Sequence, residues 1–192
     1  MLAGGIELRT GLPGSVVLRR LSTEDAAAFA RHVALDAERL HEYLPWPQNT
    51  ATPEGAVDWL GPYERQEDGR VLVAGAWHEY ELVGGALLFH HEPKQATVEL
   101  GCWVVSAAEG TGVAAAACRA LIALARSELE VERIEWVTTT VNERSRRLAQ
   151  RLGFQHEGTL RSAYVLGGAR RDLDLLSLVG DEIERAATQS DA

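Results

Sequence analysis

The stretch 109-EGTGVAAAACRAL-121 decides how this chain is to be read. Two glycines precede a run of small residues with helical composition, and a strand pattern, 95-QATVELGCWVV-105, ends just before them. Strand, glycine loop and helix is a geometry that cradles a phosphate. The first amides of a helix have no partner inside it, the helix dipole favours negative charge there, and glycine lets the main chain approach without a Cβ in the way. The same residues also fit an ordinary loop leading into an alanine-rich helix. The flanking sequence has to choose between the two.

Working outward, 71-VLVAGAW-77, 82-LVGGALLFHH-91 and residues 95–105 are strands separated by the short polar turns HEYE and EPKQ. That spacing predicts an antiparallel meander. Further upstream, 15-SVVLRRLS-22 has the β-branched content of a first strand. The run 22-STEDAAAFARHVALDAERLHEYL-44 reads as one helix capped by Ser22 or Thr23, with acids in its first turn. It is broken by 45-PWPQNT-50, and 52-TPEGAVDWLGPYERQ-66 restarts a helix with Thr52 as cap and Pro53 at its first position. Downstream, residues 112–129 predict a helix, 133–141 a strand and 143–152 a helix. Two final strands, near 154–166 and 171–179, are joined by the GGAR turn. The order is mixed α/β: a meander, then strand–helix–strand, then a hairpin. It predicts a mostly antiparallel sheet of about seven strands flanked by about four helices, in a single domain with its core near residues 15–185.

Composition narrows the function classes. A chain of 192 residues is long enough for one substantial core. The net charge is -9 and Lys94 is the only lysine, so positive charge is almost all arginine. An acidic surface repels nucleic acid, although a local arginine patch still suits a phosphate. Cys102 and Cys118 make neither a disulfide framework nor a CxxC pair, and the six histidines show no ligand spacing, so no metal site is expected. The N-terminus lacks a basic segment followed by a long apolar run, and no stretch reaches the length of a membrane span. Cytoplasmic residence without membrane association is the resulting expectation.

At this point the motifs combine. Glu109-Gly110-Thr111-Gly112-Val113-Ala114 and the run Asn142, Ser145, Leu148, Leu152, Gly153, Phe154 together resemble the GCN5-related N-acetyltransferase (GNAT) superfamily, and within it the RimJ/RimL-like group. The first motif resembles Q/R-x-x-G-x-G/A and the second N-x-x-S-x-x-L-x-x-x-L-G-F. The segments 44-LPWP-47, 99-ELGCWV-104, 156-HEGTLR-161 and 172-DLDLLSL-178 resemble further parts of the same pattern. The resemblance covers roughly residues 15–185. It implies a GNAT-like fold and transfer of an acetyl group from acetyl-CoA to a primary amine, with the α-amino group of a protein or peptide as expected acceptor. A small-molecule amine acceptor remains open. So do another donor such as succinyl-CoA, marked by an arginine near the thioester, and a weakly catalytic acyl-CoA-binding regulatory protein. Exposed edge strands leave a homodimer open as well.

The resemblance also implies a site. Residues 109–114 would bind the pyrophosphate of the coenzyme. The backbone of Trp103, Val104 and Val105 would follow the pantetheine arm and thioester. Asn142 would hydrogen-bond the arm or simply cap the helix that follows it. Ser145 would donate to the departing thiolate or cap locally. Glu99, alternating with Val98 and Leu100, is either the base or a solvent-facing strand residue. Tyr164 stands where the group often has an acid, and is a proton donor, a pocket residue or a packing residue. Trp46 and His90 are placed at the acceptor, the other tryptophans mostly in the core. Glu109 stands where glutamine or arginine is usual. Its carboxylate is expected to turn to solvent, with Arg119, Arg144, Arg146 or Arg147 offsetting the charge.

Overall fold

The computed structural model describes residue 2 and residues 4–188. Met1, Ala3 and residues 189–192, which the single-domain expectation takes in, lie outside the described residues. The strands are β1 Ile6–Leu8, β2 Val16–Arg20, β3 Leu72–His78, β4 Glu81–Glu92, β5 Thr97–Val104, β6 Arg133–Thr139, β7 Gln155–Leu166 and β8 Ala169–Val179. They form one sheet in the order β1-β2-β3-β4-β5-β6-β8-β7. The helices are α1 Ala26–Leu35, α2 Ala37–His41, α3 Pro47–Thr50, α4 Pro53–Glu64, α5 Val113–Leu129, α6 Glu143–Arg151 and α7 Asp181–Thr188.

The meander β3–β4–β5, the crossover through α5 to β6, and the β7–β8 hairpin are the elements the sequence pattern predicts. The counts differ: eight strands and seven α-helices are described, against about seven and about four. The added strand is β1, three residues that pair with β2 at the sheet edge and bury Leu8 in the core. The expected helix over residues 22–44 is divided. It opens with a 3-10 turn, Thr23–Asp25, under a capping box from Ser22, and breaks at Asp36, whose φ of -131° leaves the helical region. The Asp36 carboxylate is held instead by the Ser106 amide and hydroxyl. α3 forms inside the segment read as a break, with Pro47 at its start. α7 is ordered by burying Ile183 and Ala186, and it packs on α5. The restart at α4 follows its sequence signals: Pro53 is in the first turn, and the Gly55 amide donates to Thr52 Oγ1 at 3.2 Å.

Among the described strands only β5 and β6 run parallel, and they pair from Thr97↔Arg133 to Glu99↔Glu135 before they part. Two apolar layers cover the sheet. On one face Leu18, Leu72, Leu88, Val98 and Leu100 pack with the apolar sides of α5, α6 and α7. Alanines at positions 115, 117 and 125 bring α5 close to the strands. On the other face Leu21, Val73, Leu87 and Trp103 pack with α1 and α4. The alternation of β5 therefore sends Val98 and Leu100 towards α5, and Glu99 and Trp103 towards the opposite layer.

Candidate active site

The loop after β5 can be accounted for donor by donor. The Val105 amide donates to Val83 O at 3.1 Å, Ala108 to Val105 O at 3.0 Å, and Glu109 to Ser106 O at 3.2 Å. The Thr111 carbonyl is taken by the Gly11 amide at 2.6 Å. The first bond of α5 runs from Ala116 N to Gly112 O at 2.9 Å. The amides of Gly110, Gly112, Val113, Ala114 and Ala115 have no acceptor among the described residues. Gly112 opens α5 at φ 83°, a left-handed conformation that strains an L side chain. Open amides at the start of a 17-residue helix suit a diphosphate.

The expected pantetheine edge is corrected by one residue. Because Val105 pairs with Val83, the ladder alternation makes Trp103↔Gly85 and Gly101↔Leu87 the hydrogen-bonded pairs with β4. The backbone groups of Leu100, Cys102 and Val104 therefore face the opposite edge, where β6 has diverged. The Val105 amide is already engaged, and so is the backbone of Trp103. The Trp103 ring lies in the core, 3% exposed, donating to His32 Nε2 at 3.0 Å. Gly85 makes room for it, since a Cβ there would sit 2.5 Å from the ring. The Val104 carbonyl accepts from Arg39 at 2.6 Å, so an extended, amide-bearing arm fits the edge left by the Cys102 backbone and the Val104 amide.

A groove of about 1790 Å³ joins this edge to the α1–α4 side, and Glu99, His90, Trp46 and Tyr164 all line it. The Glu99 side chain is 16% exposed, so the solvent-facing alternative does not hold. Burial raises its pKa, while the hydrogen bond from His90 acts against that rise. His90 Nδ1 lies 2.9 Å from Glu99 Oε2, and the His90 ring is largely in solvent. Trp46 is half-buried, stacks with Phe29 at 5.7 Å and packs at a tilt against Trp59, ring centroids 5.0 Å apart. It forms a rigid aromatic wall of the groove.

Asn142 and Ser145 sit at the head of α6 on the other side. Asn142 Oδ1 accepts from the Ser145 amide at 3.1 Å, which is the capping role, and leaves its side-chain NH₂ towards the groove it lines. Ser145 Oγ accepts from Trp136 Nε1 at 2.9 Å, so the hydroxyl hydrogen remains available to donate. Tyr164 is half-buried and burial raises its pKa, so it is neutral and a donor around pH 7.

Glu109 departs from its expected place. Its carboxylate does not turn to solvent: Oε1 accepts from Arg39 at 2.6 Å and Oε2 from Arg144. Arg144 was among the expected partners. Arg146 instead pairs with Asp174, and Arg147 with Glu143. Arg39 was missed, as was Asp36. Arg39 also donates to Asp36 Oδ2 at 2.8 Å and to Val104 O at 2.6 Å. It lies 70 positions before Glu109, in a helix with no local motif, so no sequence signal pointed to it. Among the described residues no group of three or more His, Cys, Asp or Glu side chains is placed to hold a metal ion. No described helix is long and apolar enough to cross a membrane.

Comparison with known proteins places these features. A family model described as an acetyltransferase (GNAT) domain matches residues 15–155. YdaF of Bacillus subtilis (strain 168), a candidate ribosomal N-acetyltransferase, is 30% identical over 171 residues, covering 88% of this chain and 93% of its own. The ribosomal-protein-serine acetyltransferase of Escherichia coli (strain K12) is 29% identical over 143 residues, covering 74% and 80%. The structure of Mycobacterium smegmatis RimJ in complex with CoA-disulfide is similar with a TM-score of 0.80 at 26% identity, covering 97% of this chain and 90% of that one.

Proposed function

The chain belongs to the GNAT acetyltransferase family, and from that membership we propose that it transfers the acetyl group of acetyl-CoA to the α-amino group of a protein or peptide. The observation that carries this reading is the groove itself. Its one side holds the open amides of Gly110 and Gly112 to Ala115, and its other holds Glu99 against an aromatic wall. The names of the two relatives direct attention to the N-termini of ribosomal proteins, and so to the cytoplasm. An α-amine has a pKa of about 7.7–8.0, against about 10.4 for lysine, so a carboxylate suffices as base.

In this reading the loop amides bind the diphosphate, and Cys102 and Val104 align the arm. Glu99 takes the proton of the amine, directly or through one water, and passes it to His90 and solvent. Ser145 and Tyr164 offer hydrogen bonds on the side of the departing thiolate. Holding donor and acceptor in line supplies much of the rate enhancement. We treat residues 1–192 as one acetyltransferase domain, and the exposed edge strand β7 as the place to look for homodimer pairing. The test is incubation with acetyl-CoA and a panel of ribosomal-protein N-terminal peptides, followed by mass spectrometry, with succinyl-CoA and small amines in parallel. A mass gain of one acetyl group on a peptide α-amine is expected. Transfer to small amines alone would overturn the acceptor, and CoA binding without transfer to any amine would overturn the enzyme.

A further inference from the structure

Glu109 brings a carboxylate to the mouth of an anion cradle, which on charge alone should weaken the site. The geometry points to the opposite. We infer that Glu109 acts as a clasp that fixes Arg39 and Arg144 on either side of the open amides, and that these two cations contact the coenzyme diphosphate. The inference rests on the acetyl-CoA reading above.

Both Glu109 oxygens are committed, one to each guanidinium, and the side chain is 28% exposed. The carboxylate is thereby turned to the arginines and not into the cradle. The arginines come from separate elements, Arg39 from α2 and Arg144 from α6, and both line the groove beside Gly110 and Gly112. Arg39 is held by Glu109 through Nη1 and by Asp36 and Val104 O through Nη2, and with its Nε buried without a partner among the described residues it offers an anion chiefly its fixed positive charge. Arg144 uses only Nη1 in the bonds described. Arg39 is further anchored by Asp36, which is tied to the Ser106 amide in the same loop. Unclasped, two long arginine side chains would have to be ordered on binding, at a cost in rotamer entropy that the clasp removes beforehand.

The experiment is calorimetric titration of CoA, with inorganic pyrophosphate as a displacing ligand, into the wild type, Glu109→Gln, Arg144→Gln and the double variant. Glu109→Gln is expected to weaken CoA about tenfold, about 1.4 kcal/mol, and to weaken pyrophosphate in parallel. Arg144→Gln, at an exposed position that should leave folding intact, is expected to do the same. The double variant should lose little more than either single one, because both changes break one arrangement. Unchanged or tighter CoA binding by Glu109→Gln would overturn the inference. So would a loss for CoA that spares pyrophosphate, since Glu109 would then act away from the diphosphate. Failure of the wild type to bind CoA at all would instead remove the proposed function, and this inference with it.

Discussion

Glu99 and His90 share one hydrogen bond but differ in exposure, 16% against 71% for the side chains, and that difference divides their work. The buried carboxylate, its pKa raised by desolvation, is the better base near neutrality. The exposed imidazole is the outlet. Glu99→Gln is expected to lower kcat by about 10²–10⁴-fold, to leave CoA affinity unchanged, and to remove the acidic limb of the pH–rate profile. Initial rates across pH check this; an unaltered acidic limb would show that another group titrates. Ser145 carries two duties. Ser145→Ala should slow the step that releases the thiolate, and it also strips the buried Trp136 indole of its acceptor. The latter should cost about 1–3 kcal/mol of stability, visible in a urea melt. A cysteine at this position keeps some acceptor capacity and should lose less stability.

At the scale of elements, two helices begin in different ways for different ends. α4 starts on a Thr52 side-chain cap and Pro53, which stabilise it locally. α5 starts on Gly112 with no side-chain cap at all, and so leaves its first amides open. Thr52→Ala should therefore cost about 1 kcal/mol of stability with CoA affinity intact. Gly112→Ala should weaken CoA binding, because the left-handed backbone costs an alanine about 1–2 kcal/mol and the loop can relieve that strain only by turning its amides. Melting temperature and CoA titration on both variants separate the two kinds of helix start. Strand pairing shows the same division. β5 is held by β4 along most of its length but by β6 only through Glu99, and the parting of β5 and β6 opens the edge at Cys102 and Val104.

For the molecule as a whole, titratable groups with specific partners in the fold predict where acid destabilises it. His32 is 3% exposed, with Nδ1 2.6 Å from Leu82 O and Nε2 accepting from Trp103, an arrangement only the neutral ring satisfies. Burial lowers its pKa. Well above the ordinary imidazole pKa of about 6.5 the ring is neutral whether the chain is folded or not. As pH falls below that, the unfolded chain binds the proton more readily and stability declines. A second decline begins near the ordinary carboxylate pKa of about 4.3. It reflects Glu157, which hydrogen bonds from Arg133 and then Ser177 draw down to about 2. Asp174 adds to it: burial pushes that carboxyl up, but hydrogen bonds from Thr159 and His156 and the Arg146 charge outweigh the burial. Melting temperature against pH should show both stages. His32→Gln, which can serve both partners without titrating, should flatten the first stage and leave the second.

Much of this was legible in the chain because it is local. Thr52 and Pro53 announce α4, the alternation of β5 separates Glu99 from Val98 and Leu100, and the 109–114 and 142–154 motifs mark one family. Caps, periodicity and backbone chirality act over a few residues, so the sequence alone determined the strand–loop–helix unit and the order of its neighbours. What lies between distant segments was not legible. Asp36 breaks a helix for the sake of Ser106, Val105 is taken by Val83, and Arg39 meets Glu109 across 70 positions. Only the tertiary structure decided which amides stay open and which charges surround them. Those are outcomes of competition among partners brought together by packing, and nothing in the neighbouring residues records which partner wins.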